Sequence, residues 1–388
     1  MATIGFTAIV KNEAHVIRRA LDSVRPLVDH VLISDTGSTD GTPGVIRSWL
    51  DQNDLPGAVI ERPWVDFSHN RNEALDLLSD ISSIDYVLTI DADEYLVFDQ
   101  TFDTETFKSG LDRADAWRVR SHVGSQHFDR LQLFSNRMPF RFHYKIHEKV
   151  NVPSGAVIGR AEGFFNQYTF DGARAFNPRK YLEDAKTIES ELIGGAYDNN
   201  PEMLARYTFY LAQCFNWSRN YDQARVLYER HTKMKGASRG NLTSSYFNIA
   251  LMDELLEEPA ETTIAAYLRA YQVLPEAEPL CGAARISNRV GRHDQAYNWA
   301  RSAAAMPEPD SWSFDAAVYQ WRALDELLVA CIGTHRFDEA VEVAERLLSE
   351  AKFPESERQR IEQNAAYALA QYELAPVIGP NAKSALAN

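Results

Sequence analysis

Tyr86-Val87-Leu88-Thr89-Ile90-Asp91-Ala92-Asp93-Glu94 is an apolar run that ends abruptly in carboxylates. A short apolar run of this kind reads as a strand buried on both faces, as in a parallel sheet. In an extended segment residues i and i+2 point the same way, so Asp91 and Asp93 are expected to converge at the strand's carboxyl end. Two hard oxygen donors there suit Mg2+ or Mn2+, held between the protein and a diphosphate. Asp-x-Asp also occurs by chance, and acidic residues often end strands. The buried run before it is what favours a metal here.

Upstream the chain repeats the same rhythm. Thr3 to Val10 is an apolar strand, and Val16, Ile17, Ala20, Leu21 and Val24 share a helical face. His30 to Ser34 is a second strand, followed by Asp35-Thr36-Gly37-Ser38-Thr39-Asp40-Gly41-Thr42. Thr42-Pro43 reads as a helix start with Thr42 as cap. Ala58 to Glu61 is a third strand, and Ser68 is the expected cap of the helix carrying Arg71 and Asn72. Alternating strand and helix means a mainly parallel, Rossmann-like sheet with helices on both faces. Ligands bind such sheets beyond the carboxyl ends of the strands. Lys11-Asn12-Glu13, Asp35 and Asp91 all stand there.

Each polar group has a plain alternative. Asp35 can accept from a nucleobase imide N–H, or it begins a loop with good turn chemistry. Arg71 and Asn72 lie in a helix's first turn, where a guanidinium clamps phosphate; an isolated Arg there is otherwise simply solvated. Asn12 and Glu13 also suit the cap and first turn of a helix.

Downstream the chain becomes strand-rich: Trp117 to Arg120, Leu131 to Phe134 and Phe140 to Val150. In the last, Phe140, Phe142, Tyr144 and Ile146 alternate with Arg141, His143, Lys145 and His147. His147 is a candidate metal or diphosphate contact, and Glu148 a candidate general base. Strict alternation turns Glu148 to the apolar side, which requires either a bulge or a buried structural carboxylate. His143 and His147 lie on a strand pattern, so the helical zinc motif is absent.

After about Asn177 only helices are expected. Asn220-Tyr221-Asp222-Gln223-Ala224, Arg292-His293-Asp294-Gln295-Ala296 and Arg336-Phe337-Asp338-Glu339-Ala340 recur at irregular spacing. A small Ala in the second helix of each pair lets helices approach closely. This is the pattern of an all-α, tetratricopeptide-like array. The division expected is 1–175 for the α/β domain, 176–376 for the repeats and 377–388 for a C-terminal tail.

The 388 residues carry a formal net charge of -15, with 45% hydrophobic residues. That composition supplies two cores and disfavours nonspecific binding to nucleic-acid backbones. No apolar stretch is long enough for a membrane span and the first residues read as a strand, so a cytoplasmic compartment is expected. Cys214, Cys281 and Cys331 read as small core residues. There is no Walker loop, Gly-x-Gly-x-x-Gly, Gly-x-Ser-x-Gly elbow or Cys-x-x-Cys, which removes the usual support for P-loop, dinucleotide and serine-hydrolase chemistry.

Taken together the N-terminal motifs resemble the family 2 glycosyltransferases of the GT-A fold. The resemblance rests on Thr7-Ala8-Ile9-Val10-Lys11-Asn12-Glu13, Ser34 to Thr42, Asn70-Arg71-Asn72-Glu73-Ala74-Leu75, Leu88 to Glu94 and His147-Glu148, in that order. The helical half resembles the repeat domain of a bacterial and phage subgroup that includes sublancin-type peptide S-glycosyltransferases. There the carrying stretches are Arg206 to Cys214, Ala266 to Tyr271 and Tyr319 to Leu327.

The resemblance implies an inverting, metal-dependent hexosyltransferase using a nucleotide sugar, most often a UDP-sugar, with Mn2+ or Mg2+. It carries nucleotide-sugar binding to Val10, Lys11, Asn12, Glu13, Asp35, Arg71, Asn72, Asp91, Ala92 and Asp93. It carries metal binding to Asp93, Asp91 and His147, and the reacting centre to Glu148 and His147. Many relatives have a further His after the His-Glu pair; Phe164 to Asp171 contains none. The expected acceptor is a protein or peptide on the repeats. A glycan, a modified DNA base, or a non-catalytic partner-binding role are the alternatives. A homodimer through the repeats is a further expectation.

Overall fold

The computed structural model describes residues 1–310 and 313–374. The tail expected over 377–388 lies outside them. The chain divides into two compact units, the first Met1–Thr187 and the second starting at Ile188.

The first unit opens with β1 (Ile4–Val10), α1 (Ile17–Val24), β2 (His30–Asp35), α2 (Thr42–Gln52), β3 (Gly57–Glu61), α3 (Phe67–Ser79) and β4 (Tyr86–Thr89). It continues with β5 (Glu94–Phe98), α4 (Thr104–Ser109), β6 (Ala116–Val123), β7 (Gln126–Ser135), β8 (Arg141–His143), β9 (Lys149–Asn151), β10 (Ile158–Arg160) and β11 (Phe164–Tyr168). The main sheet runs β3-β2-β1-β4-β7-β6-β11-β5. β1 pairs in parallel with β2 and β4, and β2 with β3. Beyond β4 the sheet turns mixed, with β7 antiparallel to both β4 and β6 and β11 antiparallel to β5.

The alternation of β1 explains the layers. Ile4, Phe6, Ala8 and Val10 face one core together with Ile17 and Leu21 of α1 and Trp49 of α2. The opposite core is built by Leu75 and Leu78 of α3 with Leu32, Val87, Phe134, Phe140 and Phe142. Both faces of the parallel strands are thus covered, which is why they read as unbroken apolar runs.

Local details differ from the sequence reading. Thr42 does not cap α2; Gly41 precedes it with φ of 89°, and the Thr42 hydroxyl accepts from the Glu13 amide. Ser68 does not cap α3; Asp66 does, accepting from the His69 amide. Asn12 is no helix cap, because α1 begins later; its φ is 61° and its side-chain oxygen takes the Thr39 amide at 2.7 Å. Phe140 to Val150 is not one strand. β8 and β9 form a hairpin in which His143 faces Lys149, and Tyr144 (φ 83°) and His147 (φ 49°) turn the chain between them. Phe142 and Val150 pack into the core from the two short strands, Phe140 from just before the first, and Ile146 is buried in the turn between them, so strict alternation does not run through the stretch.

The second unit is helical. After α5 (Lys180–Ile193), which crosses the boundary, come α6 (Pro201–Trp217), α7 (Tyr221–His231), α8 (Arg239–Leu255), α9 (Ala260–Val273), α10 (Ala277–Arg289) and α11 (His293–Ala304). They are followed by α12 (Ala323–Gly333), α13 (Phe337–Ser349) and α14 (Glu355–Leu374). The repeat has a backbone signature. Arg219, Glu257, Gly291 and His335 all have positive φ at the turn inside each helix pair. The next amide in each case reaches back to close the first helix: Asn220 to Phe215, Glu258 to Asp253, Arg292 to Ser287 and Arg336 to Cys331, at 2.8–2.9 Å. This is the Schellman closure, repeated four times. Ala224, Ala296 and Ala340 are fully buried at the close approaches the sequence predicts. The three cysteines are buried thiols, not joined in a disulfide. No helix among the described residues is long and apolar enough to cross a membrane.

Candidate active site

The carboxyl edge of the parallel strands gathers the polar residues. Asp35 ends β2 and is 3% exposed. Its Oδ2 accepts from the Gly37 and Ser38 amides at 3.2 and 3.0 Å, while Oδ1 is buried without a partner. A buried carboxylate oxygen left unpaired is costly, so this edge is built for an added donor.

Asp91-Ala92-Asp93 is a turn, not the extended end of a strand. β4 stops at Thr89, and the Glu94 amide closes on the Asp91 carbonyl at 3.1 Å. The two carboxylates take different partners. Asp91 meets Arg71, whose Nη2–H donates to Oδ1 at 2.6 Å. The Nε–H of Arg71 donates to Glu148 at 2.9 Å. Arg130 stands between Asp91, at 3.7 Å, and the fully buried Glu94, to which it donates a short hydrogen bond. Glu94 also accepts from Asn166 at 2.7 Å. Carboxylate and guanidinium thus alternate along Glu148, Arg71, Asp91, Arg130 and Glu94.

Burial opposes charge on Asp91, but Arg71 and Arg130 outweigh it and hold the carboxyl below its ordinary range. Glu94 moves the other way, because complete burial outweighs Arg130. Asp93 has no guanidinium of its own. Burial, with the charges of Asp91 and Glu94, pushes it up to about 7. Gly172 lies against it: a Cβ there would stand 2.9 Å from Asp93 Oδ2.

Lys11 is exposed at the end of β1, after the buried Val10. Glu13 accepts from the Ala173 amide at 3.1 Å, and burial raises its pKa. Asn72 is turned away from the edge, holding both backbone groups of Phe142 at 2.7 and 2.8 Å. Ala92 is buried in the core beside the turn. His147 occupies the bend next to Glu148, half-buried.

Among the described residues no group of three or more His, Cys, Asp or Glu comes together as a cation cage. Asp91, Asp93 and His147 do not form one. The residues do fit a cation that draws most of its ligands from a diphosphate and water, as Mg2+ often does. Asp93, crowded by carboxylates, is the donor whose charge such an ion would balance.

Arg130 and Asn166 are not apparent as site residues in the sequence, nor are Gln132, which donates to Glu94 at 3.4 Å, and Tyr168, whose ring lies 5.9 Å from the Arg130 guanidinium. Their signal is weak but real: Arg130 and Gln132 alternate with the apolar Leu131 and Leu133 on β7.

Residues 8–151 match the model of glycosyl transferase family 2. The chain is 33% identical over 158 residues to a TPR repeat-containing protein of Synechococcus elongatus, covering 39% of this chain and 36% of that one. It is 36% identical over 96 residues to an uncharacterized glycosyltransferase of Rickettsia felis, covering 25% of this chain and 30% of the relative. The chain thus spans about a third of the length of these curated relatives. Among solved structures, Staphylococcus aureus TarS 1–349 in complex with UDP-GlcNAc aligns with 74% of this chain and 92% of its own, at 14% identity and a TM-score of 0.35.

Proposed function

We propose that this protein transfers a sugar from a nucleoside-diphosphate sugar, with UDP as the nucleotide, to a protein or peptide acceptor, with inversion at the anomeric carbon. The observation that carries the reading is the pairing of Asp35 with Asp93. They stand after β2 and β4, the two strands that flank β1. Strands sit about 4.8 Å apart, so two spacings reach roughly 10 Å, the span of a nucleoside and its diphosphate. Asp35 offers an unpaired buried oxygen to a base imide N–H. Asp93, with Asp91 behind it, offers a carboxylate to a divalent cation on the diphosphate.

In this reading Lys11, Asn12 and Glu13 floor the nucleotide at the end of β1, and Arg71 faces the phosphates. Mg2+ or Mn2+ would balance negative charge building on the leaving diphosphate. Glu148, held by Arg71, takes the proton of the acceptor nucleophile as that atom bonds to C1. The bond from C1 to the phosphate oxygen breaks on the opposite face, and the nucleoside diphosphate leaves with the electron pair. His147 adjoins this centre. The repeats present the extended surface that a peptide acceptor needs.

A thermal-shift screen of nucleotides and nucleotide sugars with and without Mn2+ tests the donor, because ligand binding to the folded state raises apparent stability. A metal-dependent rise with one sugar nucleotide supports the reading, and none with any of them refutes it. Mass spectrometry after co-expression tests the acceptor: a modified glycan or lipid in place of a modified protein would overturn the peptide assignment.

A further inference from the structure

After β11 the chain does not leave the edge of the first unit at once. Residues 169–176 run across it and touch three of its walls. The Thr169 amide donates to the Asp93 carbonyl at 3.2 Å, and Gly172 lies against the Asp93 carboxylate. The Ala173 amide donates to Glu13 at the end of β1. Arg174 lies over the Phe67 ring at 5.2 Å, one helical turn before Arg71 on α3.

One residue outside the acidic edge fixes the segment. Arg19, on α1, makes two parallel hydrogen bonds to the Asp171 carboxylate at 2.7 and 2.8 Å, and a third to Thr169 at 2.8 Å. His15, four residues earlier, holds the Asp171 carbonyl at 2.7 Å and packs its ring on Phe176 at 5.9 Å. A two-pronged guanidinium clamp sets orientation as well as distance. The Arg19 hydrogen bonds also hold the Asp171 carboxyl down at about 2, so the clamp stays ionised at any working pH.

We propose that residues 169–176 form a strap that roofs the donor diphosphate, and that Arg19 is the positioning residue that sets its height through Asp171. The inference rests on the donor site proposed above. Gly172 is where the roof meets the floor; a side chain there would strike Asp93. The strap holds the Ala173 amide on Glu13, and with it the end of β1, at one spacing from Asp93. Loosening the clamp lets the roof lift without touching any group that meets the donor.

Hydrogen exchange of the peptide covering residues 169–177, with and without UDP and Mn2+, tests this on the full chain. Expected are slow exchange in the wild type, further slowing with UDP, and at least tenfold faster exchange in Arg19→Ala and Asp171→Asn. The donor KM of Arg19→Ala should rise about tenfold with kcat within threefold of wild type. Arg19→Lys, which keeps the charge and loses the fork, should fall between. A merely structural Arg19 would instead lower the melting temperature and leave the KM alone. Unchanged strap exchange in both variants, or UDP binding that leaves the wild-type strap unprotected, overturns the proposal. Failure of the wild type to bind UDP sinks the donor reading itself, and Arg19→Ala exchange then still decides whether the clamp exists.

Discussion

The Nε–H of Arg71 donates to the Glu148 carboxylate across 2.9 Å, joining residues 77 apart in sequence. Glu148 is 16% exposed and Arg71 8%. The pair ties α3 to the turn before β9. Glu148→Gln keeps an acceptor for Arg71 but removes the base. Turnover should fall by roughly 100-fold or more while donor affinity stays within about threefold. A matching loss of donor affinity, measured by calorimetry, would make Glu148 a structural partner of Arg71 alone.

Asp93→Asn should separate activity from stability. Turnover falls by roughly 100-fold or more, because the lost charge acts on the leaving diphosphate. Stability should rise at pH 8. Burial and the neighbouring carboxylates hold the folded Asp93 up at about 7, well above a free aspartate. Ionising it above that value costs the folded state, and Asn avoids the cost. Steady-state rates with a melting curve at pH 8 check both halves. Near-wild-type turnover would refute the metal role.

The helical unit carries its own pH dependence. Burial raises Glu326 on α12 to about 7, although Asn288 donates to it at 2.9 Å. Between about 4.5 and 7 the folded chain keeps a proton that the unfolded chain has lost, so this group's contribution to stability falls as pH rises through that window. Glu326→Gln keeps an acceptor for Asn288 and should gain on the order of 2 kcal/mol over wild type at pH 8. Little difference should remain at pH 4. Urea unfolding at the two pH values reads the slope directly.

Three of the four Schellman turns have a side chain where glycine is easiest. Arg219, Glu257 and His335 sit at φ of 62°, 58° and 57°, and all three are exposed. Replacing each by Gly should stabilise by roughly 0.5–1 kcal/mol. The effects should add, because the sites share no partners. Destabilisation by all three single variants in thermal melts would contradict the turn assignment.

Much of the fold was legible because its signals are local. Apolar runs ending in polar clusters announced β1, β2 and β4, and the recurring Ala224, Ala296 and Ala340 announced the helix pairs. Asp35 and Arg71 were legible for the same reason. What failed depended on partners far along the chain. Nothing within Phe140 to Val150 shows that its two halves pair with each other, so the stretch read as one strand. Nothing near Asp91 shows that two guanidinium groups from distant elements, Arg71 and Arg130, both reach its carboxylate. Arg130 and Asn166 entered only through their contact with Glu94, which lies 36 and 72 residues away. The caps lie one or two residues from where the sequence places them, because the Ser68 hydroxyl is spent on Asp66, which takes the His69 amide, and the Thr42 hydroxyl takes the distant Glu13 amide.

The acidic turn leaves the sheet at β4, near its middle, and the chain rejoins it as β5 at the far edge, beyond β7, β6 and β11. β5 has its pairing partner in β11, which the ribosome makes about 70 residues later. A nascent chain that has just finished Phe98 therefore holds Glu94 with neither Arg130 nor Asn166, and an edge with nothing to zip onto. The Glu94 end of the acidic edge is therefore completed only when the last strands of its domain are made. A chain released early would carry a finished parallel half and no working centre.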